Sequence, residues 1–339
     1  MMNARGAPRR RRGWSVDGWP DYRARVSDRG RRGNRPRRRP LEDEPMRTTT
    51  RRAVAAFAAL ALVATACGDG DTDTETDTDG TETTDDGAGD DGDADDGEAA
   101  TEDLALVSDG TLTVCSDVPY EPFEFEDPDS DIGYSGFDIE LVQALAATAD
   151  LDVAVVATGF EALTSGTAMA TGQCDLAASA ITITEERAAN VDFTDPYYVA
   201  LQSLLAPADG DIASIDDLEG LVVGVQSGTT GEEYANENVE GAAEIRSFEN
   251  PGDLFVALES GQIDAILQDL PVNAEFVLNN DAFEVVEEYD TDESYGFALD
   301  PNREDGLLQI LNDGLAQVQE DGTYDALYEE YFPGAEPAL

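Results

Sequence analysis

Residues 104–339 of this chain predict an α/β fold built of mostly parallel sheets covered by helices. Short apolar runs suited to buried strands alternate with segments whose apolar residues recur at helical spacing. Strands that alternate with helices in this way form βαβ units, and such units give parallel sheets. The segment is long enough for one large or two small lobes, and it shows no internal repeat of solenoid length.

The alternation predicts the following elements in chain order. The first strands are Leu112–Ser116, Val153–Ala157 and Leu176–Ala180. Between the first two, Asp138 is predicted to cap a helix whose apolar face comprises Leu141, Val142, Leu145, Ala146 and Ala149. The next strands are Leu221–Gln226, Ile245–Phe248 and Ile263–Gln268, and the next helices are Leu254–Glu259 and Val272–Leu278. Two last helices are predicted at Arg303–Gln319 and Thr323–Tyr331.

Two segments with no place in this fold come first. Residues 1–45 are rich in Arg, Gly and Pro and lack hydrophobic periodicity, whereas residues 46–66 have a basic start, a short apolar stretch and small residues at the end. The second segment is typical of an export signal and is too short for a stable membrane span. We therefore expect Met46 to be the true start and residues 1–45 to be a misassigned extension, not a nucleic-acid-binding arm. The end of the signal resembles a lipobox, which predicts a lipidated Cys67, although Ala64 departs from the usual Leu, Val or Ile.

The chain is strongly acidic, with a net charge of −54. Residues 67–103 contain 17 acidic residues and no apolar side chain larger than alanine except the cysteine itself, so we expect an acidic, disordered tether. After Cys67 only Arg187, Arg246 and Arg303 balance 68 acidic residues. Because the acidic residues are spread along the whole chain, a hydrated surface adapted to salt is favoured over a site for cations or basic polymers.

The absence of histidine from the sequence limits the chemistry. It removes Ser–His and Cys–His nucleophile pairs and histidine metal sites. The segment Gly224–Gly228 is not a nucleophile elbow, because such a serine needs glycines two positions away on each side. We therefore expect no hydrolase chemistry, no metal and no cofactor.

Six segments in order carry a resemblance to a known family: Leu112–Phe125, Gly136–Leu141, Thr182–Arg187, Val191–Tyr198, Val223–Thr230 and Asp321–Tyr328. Together they resemble family 3 of the bacterial extracellular solute-binding proteins, the substrate-binding lipoproteins of polar amino acid ABC importers. The resemblance implies a periplasmic-binding-protein type II fold, with two α/β lobes joined by a two-segment hinge. Lobe 1 would comprise residues 104–199 and 295–339, and lobe 2 residues 200–294. Hinge closure would enclose the ligand.

The predicted ligand site depends on Arg187, one of the few cations of the folded region. Its planar guanidinium matches the carboxylate of an amino acid. By the resemblance, Thr182 would add a hydroxyl to that contact, and Ala180 would offer a backbone carbonyl to the ligand ammonium. The alternative is that Arg187 is an ordinary residue of a first helical turn, paired with Glu186 or a neighbouring carboxylate.

The resemblance also assigns residues to the rest of the ligand. The helix start at Gly228, Thr229 and Thr230 would bind the same carboxylate through backbone N–H groups. Asp269 matches the ammonium-binding aspartate of the family, although a lone aspartate there could simply cap a helix. Tyr120 and Phe160 match the aromatic positions that flank the substrate side chain, and Asp117 matches an acidic position that faces this side chain. Gln226 and Gln268 are candidates for residues that select the ligand by its side chain. From composition alone, Phe160 would be a core residue.

The charges bound the choice of ligand. An acidic side chain would meet Asp117 and Asp269 without a spare cation, which disfavours glutamate and aspartate. A cationic or neutral polar amino acid fits better, and a compatible solute such as ectoine stays open. We expect a monomeric, extracytoplasmic protein, lipid-anchored at the outer face of the cell membrane or periplasmic, that delivers its ligand to an ABC permease with its ATPase. The alternative is an enzyme on the same scaffold, similar to cyclohexadienyl dehydratase. Such an enzyme would need a catalytic acid or base directed at the ligand, and no further residue of the sequence indicates one.

Cys115 and Cys174 both fall in the predicted lobe 1, outside the reducing cytoplasm. They would form a disulfide if the strand register brings their Cα atoms within about 7 Å, and would stay free otherwise.

Overall fold

The computed structural model describes residues 104–335 and residue 337. The predictions for the extension, the signal, the tether and Cys67 lie outside the described residues. The strands are β1 Thr111–Ser116, β2 Phe125–Glu126, β3 Tyr134–Ser135, β4 Asp152–Ala157, β5 Leu176–Ala177, β6 Asp192–Phe193, β7 Tyr198–Pro207, β8 Val222–Gln226, β9 Glu244–Phe248, β10 Ala265–Asp269, β11 Phe283–Tyr295 and β12 Ala298–Leu299. The helices are α1 Phe137–Thr148, α2 Phe160–Thr164, α3 Thr167–Ala170, α4 Thr230–Asn238, α5 Pro251–Glu259, α6 Leu270–Asn279, α7 Leu307–Glu320 and α8 Thr323–Tyr331.

The strands form two five-stranded sheets and a small β2–β3 pair. The first sheet has the order β4-β1-β5-β12-β6, in which β1 is parallel to β4 and β5, and β12 is antiparallel to its neighbours. Helices α1, α7 and α8 contribute to its main core, where Leu141 and Leu145 cluster with Leu311, Leu315 and other buried side chains. The C-terminal helices therefore belong with the first sheet, although they follow the second one in sequence.

The second sheet has the order β11-β7-β10-β8-β9. Strands β8, β9 and β10 are parallel, as the βαβ pattern predicts, while β7 is antiparallel to both β10 and β11. Buried apolar residues on its two faces form separate clusters, one around Leu204, Val223 and Leu267 and another around Leu205, Leu254 and Ile266. A strand with both faces covered is a nearly continuous apolar run, which explains why β8 and β10 could be predicted from the sequence.

The chain passes between the two sheets through the long strands β7 and β11. These strands pair antiparallel from Tyr198↔Tyr295 to Phe283↔Pro207, with irregular register between Val285 and Glu287 and between Tyr289 and Glu293. The resemblance predicts the two crossings but not these strands, and the acidic β11 lacks an apolar run that would have indicated it. The exact lobe limits at residues 199–200 and 294–295 remain a prediction.

Two local predictions are wrong. Helix α1 begins after Gly136, and Asp138 lies inside its first turn with a fully buried side chain, so Asp138 does not cap it. Gly136 has φ 126°, and a Cβ there would lie 2.1 Å from the carbonyl oxygen of Phe123, so only glycine fits. The strand predicted to run to Ala180 ends at Ala177, and Ala180 adopts φ 46°, which side-chain-bearing residues rarely do.

Cys115 on β1 and Cys174 before β5 form a disulfide with a Cα–Cα distance of 5.7 Å. Both residues are buried, and the bond joins the first strand to the segment that leads to its parallel neighbour. Within residues 104–337, none of the helices has the length and hydropathy needed to cross a bilayer.

Candidate ligand-binding site

A narrow cavity of about 10 Å³, room for about one water molecule, lies between the two sheets where several strands end. Its walls come from loops after β1 and β5, from the end of β8 and the start of α4, and from the end of β10. The lining residues are Asp117, Tyr120, Phe160, Ser179, Ala180, Thr182, Arg187, Gln226, Thr229, Thr230 and Asp269. In α/β proteins the carboxyl ends of strands are the usual place for a ligand. All of the predicted ligand-binding residues except Gln268 line this cavity, and Ser179 is added to them.

Arg187 is a buried cation held by backbone carbonyls. Its Nη1 donates to the Thr182 carbonyl oxygen at 2.9 Å and its Nη2 to the Gly228 carbonyl oxygen at 3.1 Å. Its Cζ lies 5.2 Å from the centroid of the Phe160 ring, a cation–π distance. Burial lowers the pKa of the guanidinium, and an arginine nevertheless stays charged in proteins. Two of its five N–H groups are used in these bonds, so donors remain for an anion.

Among the described residues, no carboxylate oxygen lies within 4.0 Å of the Arg187 guanidinium. The other two arginines of this region are paired: Arg246 contacts Glu244 at 2.6 Å, and Arg303 contacts Asp175 at 3.2 Å. The alternative pairing of Arg187 with Glu186 is therefore not observed. In a protein with so many carboxylates, an arginine that is buried and lacks an acidic partner is available for an external anion.

Asp269 lies at the end of β10 and accepts three hydrogen bonds. The Tyr120 and Tyr295 hydroxyls donate to its Oδ2 at 2.8 and 2.7 Å, and Gln202 Nε2 donates to its Oδ1 at 2.6 Å. Burial, followed by the nearby charge of Glu293, raises the pKa of this carboxyl to about 6, although the three hydrogen bonds oppose the shift. Asp269 occupies the N-cap position of α6, but its side chain makes no capping bond, so capping does not explain it.

Asp117 and Gln226 meet across the cavity, because Asp117 follows β1 of the first sheet and Gln226 ends β8 of the second. Gln226 Nε2 donates to Asp117 Oδ2 at 2.7 Å. Burial raises the pKa of Asp117 to about 6, and the bond from Gln226 lowers it in part. Two further bonds cross the cavity, Tyr120 to Asp269 and Arg187 to Gly228. The structure is thus a closed arrangement of the two sheets.

The start of α4 is formed by a threonine cap. The Thr229 hydroxyl accepts a bond from Glu232 N at 3.2 Å and donates to the Gln226 carbonyl oxygen at 2.8 Å. The neighbouring Thr230 hydroxyl lies 3.4 Å from the Thr182 hydroxyl of the opposite wall. The N–H groups at such a helix start favour anions, through the unpaired donors and the helix dipole.

Comparison with known proteins assigns the family. The family model described as bacterial extracellular solute-binding proteins, family 3, matches residues 112–334, which is most of the chain. The chain belongs to this family.

Two relatives and two solved structures of a third protein show what this family 3 protein is similar to. The probable histidine-binding protein of Campylobacter jejuni is 33% identical over 223 residues, covering 65% of this chain and 84% of that protein. The L-cystine-binding protein TcyJ of Escherichia coli K12 is 33% identical over 226 residues, covering 66% and 83%. An ancestral arginine-binding protein, solved with arginine and with glutamine, is 34% identical with a TM-score of 0.61, covering 66% of this chain and 98% of that chain.

These comparisons confirm the predicted type II periplasmic fold with two α/β lobes. They also bear on the enzyme alternative, since the curated relatives are binding proteins, some of them named as parts of ABC transporters. The family 3 protein is therefore an extracellular solute-binding protein and not an enzyme. An ancestral amino acid-binding protein described as a precursor of cyclohexadienyl dehydratase is also similar, at 40% identity and a TM-score of 0.59, covering 66% of this chain and 95% of that chain.

Gln268 does not line the cavity. Its side chain is buried, and its Nε2 donates to Asn273 Oδ1 at 2.9 Å within the second lobe. Successive residues of a strand point to opposite faces, so the side chains of Gln268 and Asp269 diverge. The prediction of Gln268 as a side-chain selector is therefore corrected.

Sequence reasoning missed two carboxylates beneath the loop 178–182. Asp138 Oδ2 accepts from the Ala180 N–H at 2.8 Å and from the Tyr197 hydroxyl at 2.6 Å, while Glu124 accepts from the Ser179 hydroxyl. These bonds hold Ala180 in its unusual backbone conformation at the edge of the site. Both side chains are fully buried, and burial raises the pKa of Asp138 to about 7 and that of Glu124 well above its ordinary value. The sequence contains a sign of these residues, because in Tyr120–Glu124 and in Gly136–Asp138 the acidic residue directly follows an aromatic residue that is buried.

These shifts predict a pH dependence. A carboxyl whose pKa is higher in the folded protein than in the unfolded chain stabilises the fold below its unfolded pKa, and this contribution is lost as the pH rises through the folded value. Because the folded pKa is about 6 for Asp117 and Asp269 and about 7 for Asp138, the ligand-free protein should melt roughly 5 °C higher at pH 5.5 than at pH 7.5. Asp138→Asn should flatten the dependence, and a melting temperature that rises from pH 5.5 to 7.5 would contradict it.

Proposed function

We propose that the protein captures a cationic amino acid by closure of its two lobes and delivers it to an ABC permease. The observation that carries this proposal is the unpaired, buried Arg187 opposite two buried carboxylates, Asp117 and Asp269. An amino acid presents a carboxylate and an ammonium, and each needs a partner once water is excluded. Arg187 and the start of α4 suit the carboxylate, and Asp269 suits the ammonium.

The side chain of the ligand would extend toward Asp117 between the rings of Tyr120 and Phe160. A guanidinium or ammonium group there would replace Gln226 as the donor to Asp117 and would gain a charge-assisted bond. A glutamate side chain would instead face two carboxylates, and no second cation lines the cavity among the described residues. Similarity to the arginine-binding protein of Bacillus subtilis and to the ancestral arginine-binding protein supports the choice of a cation.

A neutral polar amino acid is the second candidate. The Asp117–Gln226 pair presents both an acceptor and an amide, which also suits a carboxamide side chain. The same ancestral protein was solved with glutamine as well as arginine. The two candidates differ in how strongly they depend on the charge of Asp117.

Isothermal titration calorimetry with arginine, lysine, glutamine, glutamate and ectoine tests the proposal. We expect the tightest binding for arginine or lysine and no binding for glutamate. Asp117→Asn should weaken the cationic ligands about 30-fold and glutamine less than 3-fold, because a charge-assisted bond contributes more than a neutral one. The exposed Asp109 provides the matched control, and Asp109→Asn should change nothing. Equal losses for arginine and glutamine would contradict the assignment of Asp117 to the ligand side chain.

We further propose that Cys67 carries a lipid that holds the protein at the outer face of the cell membrane, after removal of the signal in residues 46–66. In this proposal the acidic segment 67–103 acts as a tether and the protein works as a monomer. The acidic surface would suit a salty environment, where a short Debye length limits self-repulsion.

A further inference from the structure

Glu293 lies next to the cavity and was not predicted as part of the site. It belongs to β11, near the point where the chain returns to the first sheet, and its side chain is partly buried. Its Oε2 accepts a bond from the Thr182 hydroxyl at 3.0 Å and another from the Thr230 hydroxyl at 2.9 Å. These two threonines line the cavity from opposite lobes, so a single carboxylate oxygen joins both walls.

The rest of the carboxylate is held in place by further donors. The Thr291 hydroxyl donates to Glu293 Oε1 at 2.7 Å, and Gln202 Nε2 donates to Oε2 at 3.2 Å. The same Gln202 amide donates to Asp269 at 2.6 Å. Because the amide carries two hydrogens, it can serve both carboxylates at once. Glu293 is therefore fixed beside the aspartate that is proposed to bind the ligand ammonium.

The bonds from Thr182 and Thr230 to Glu293 determine whether the two hydroxyls can act as donors or as acceptors toward the ligand. A hydroxyl has one hydrogen and two lone pairs, whereas a carboxylate only accepts. Thr182 and Thr230 both place their single hydrogen on Glu293. The Thr230 oxygen also accepts from Gln202 Nε2 at 3.3 Å, so the Thr182 oxygen is the one that presents lone pairs to a ligand. A ligand carboxylate cannot receive a bond from either hydroxyl unless Glu293 loses a donor. If a hydroxyl turned from Glu293 to the ligand, the carboxylates of Glu293 and of the ligand would lie close together. Repulsion between two such charges is costly in a partly buried site.

We propose that Glu293 is a positioning residue that makes Thr182 an acceptor for the ligand ammonium. The ammonium would then be bound by Asp269 and by the Thr182 hydroxyl oxygen, while the ligand carboxylate is bound by Arg187 and the backbone N–H groups at the start of α4. This assignment replaces the earlier expectation that the Thr182 hydroxyl contacts the carboxylate. It rests on the proposed function, since it requires a ligand that carries an α-ammonium group.

The electrostatics of the site agree with this role. The charge of Glu293 contributes to the raised pKa of Asp269 and favours the charged form of Arg187. It therefore adds negative potential on the ammonium side of the cavity without contacting the ligand. A cation that enters between Asp269 and Thr182 relieves the repulsion between Asp269 and Glu293.

The test is Glu293→Gln, which keeps the size of the side chain but can donate as well as accept, so the hydroxyls are no longer forced to donate. Calorimetry would use arginine and its analogue without the α-amino group, 5-guanidinopentanoate. We expect arginine to bind about 10-fold more weakly to the variant and the analogue to change less than 2-fold. Glu287→Gln on the same strand is the matched control, because Glu287 bonds Ile215 N and the Tyr289 hydroxyl, outside the cavity lining.

A second variant separates positioning from a structural effect. Thr182→Val removes the hydroxyl, so Glu293→Gln should cost arginine less than 3-fold in that background. Equal weakening of arginine and 5-guanidinopentanoate, full additivity of the two substitutions, or no effect of Glu293→Gln would each overturn the inference. If the unaltered protein binds glutamine instead, glutamine and its analogue without the α-amino group replace the arginine pair. Failure of the unaltered protein to bind any amino acid would instead refute the proposed function.

Discussion

Arg187→Ala should abolish every amino acid-induced change in melting temperature and reduce affinity at least 1000-fold. The substitution removes the one guanidinium that lines the described cavity, and the ligand carboxylate would then be buried without a cation. Uncompensated burial of a charge costs several kcal/mol, and each 1.4 kcal/mol is a tenfold change in affinity. Differential scanning fluorimetry and calorimetry at one pH and salt concentration measure both quantities.

Two companion variants make the Arg187 experiment specific. Arg246→Ala also removes an arginine, but Arg246 is ion-paired with Glu244 on the surface of the second lobe, so ligand binding should persist. Arg187→Lys keeps the charge but not the planar pair of donors, and we expect intermediate affinity. If Arg187→Ala melts as the unaltered protein does and still binds its ligand within a factor of ten, Arg187 is not the carboxylate partner.

Asp269→Asn should weaken every ligand with an α-ammonium group about 100-fold or more. Asparagine can keep the acceptor bonds from Tyr120 and Tyr295 through its carbonyl oxygen, but its NH2 group would then face the Gln202 amide, and it cannot neutralise a buried ammonium. The expected loss is shared by arginine, lysine and glutamine, which distinguishes it from the ligand-selective effect of Asp117→Asn. Calorimetric titration of the three ligands provides the comparison.

Asp253→Asn is the control for this prediction, because Asp253 lies exposed in the first turn of α5. It should bind all three ligands as tightly as the unaltered protein. A loss of affinity confined to arginine and lysine would show that Asp269 faces the ligand side chain, and the assignment of the two aspartates would have to be exchanged.

The sequence predicts the part of the site that depends on local motifs. Arg187, Thr182 and Ala180 lie in one short segment, and Thr229 and Thr230 follow a recognisable strand, so the chain alone brings each group near a strand end. Their convergence follows from the fold, because the carboxyl ends of parallel strands share one edge of a sheet. Gln268 and Asp269 are neighbours on β10, so their side chains point to opposite faces of the sheet and only Asp269 reaches the cavity.

The remaining residues of the site depend on contacts between distant parts of the chain. Glu293 reaches Thr182 and Thr230 only because β11 pairs with β7, and an acidic strand gives no hydrophobic signal of that pairing. Gln202 likewise looks like an ordinary polar residue in an apolar run, yet it joins Asp269 and Glu293. Residues whose role is set by partners 63 to 111 positions away cannot be recognised from local sequence.

The pairing of β7 with β11 also constrains how the protein moves. Two strands bonded edge to edge form a ribbon that bends readily out of its plane, whereas in-plane bending would stretch the bonds between the strands. We therefore expect the two connections to bend together when the lobes separate, near the irregular register between Tyr289 and Glu293. A membrane complex that touches both lobes could distinguish loaded from empty protein by a single angle, with no direct contact to the cargo.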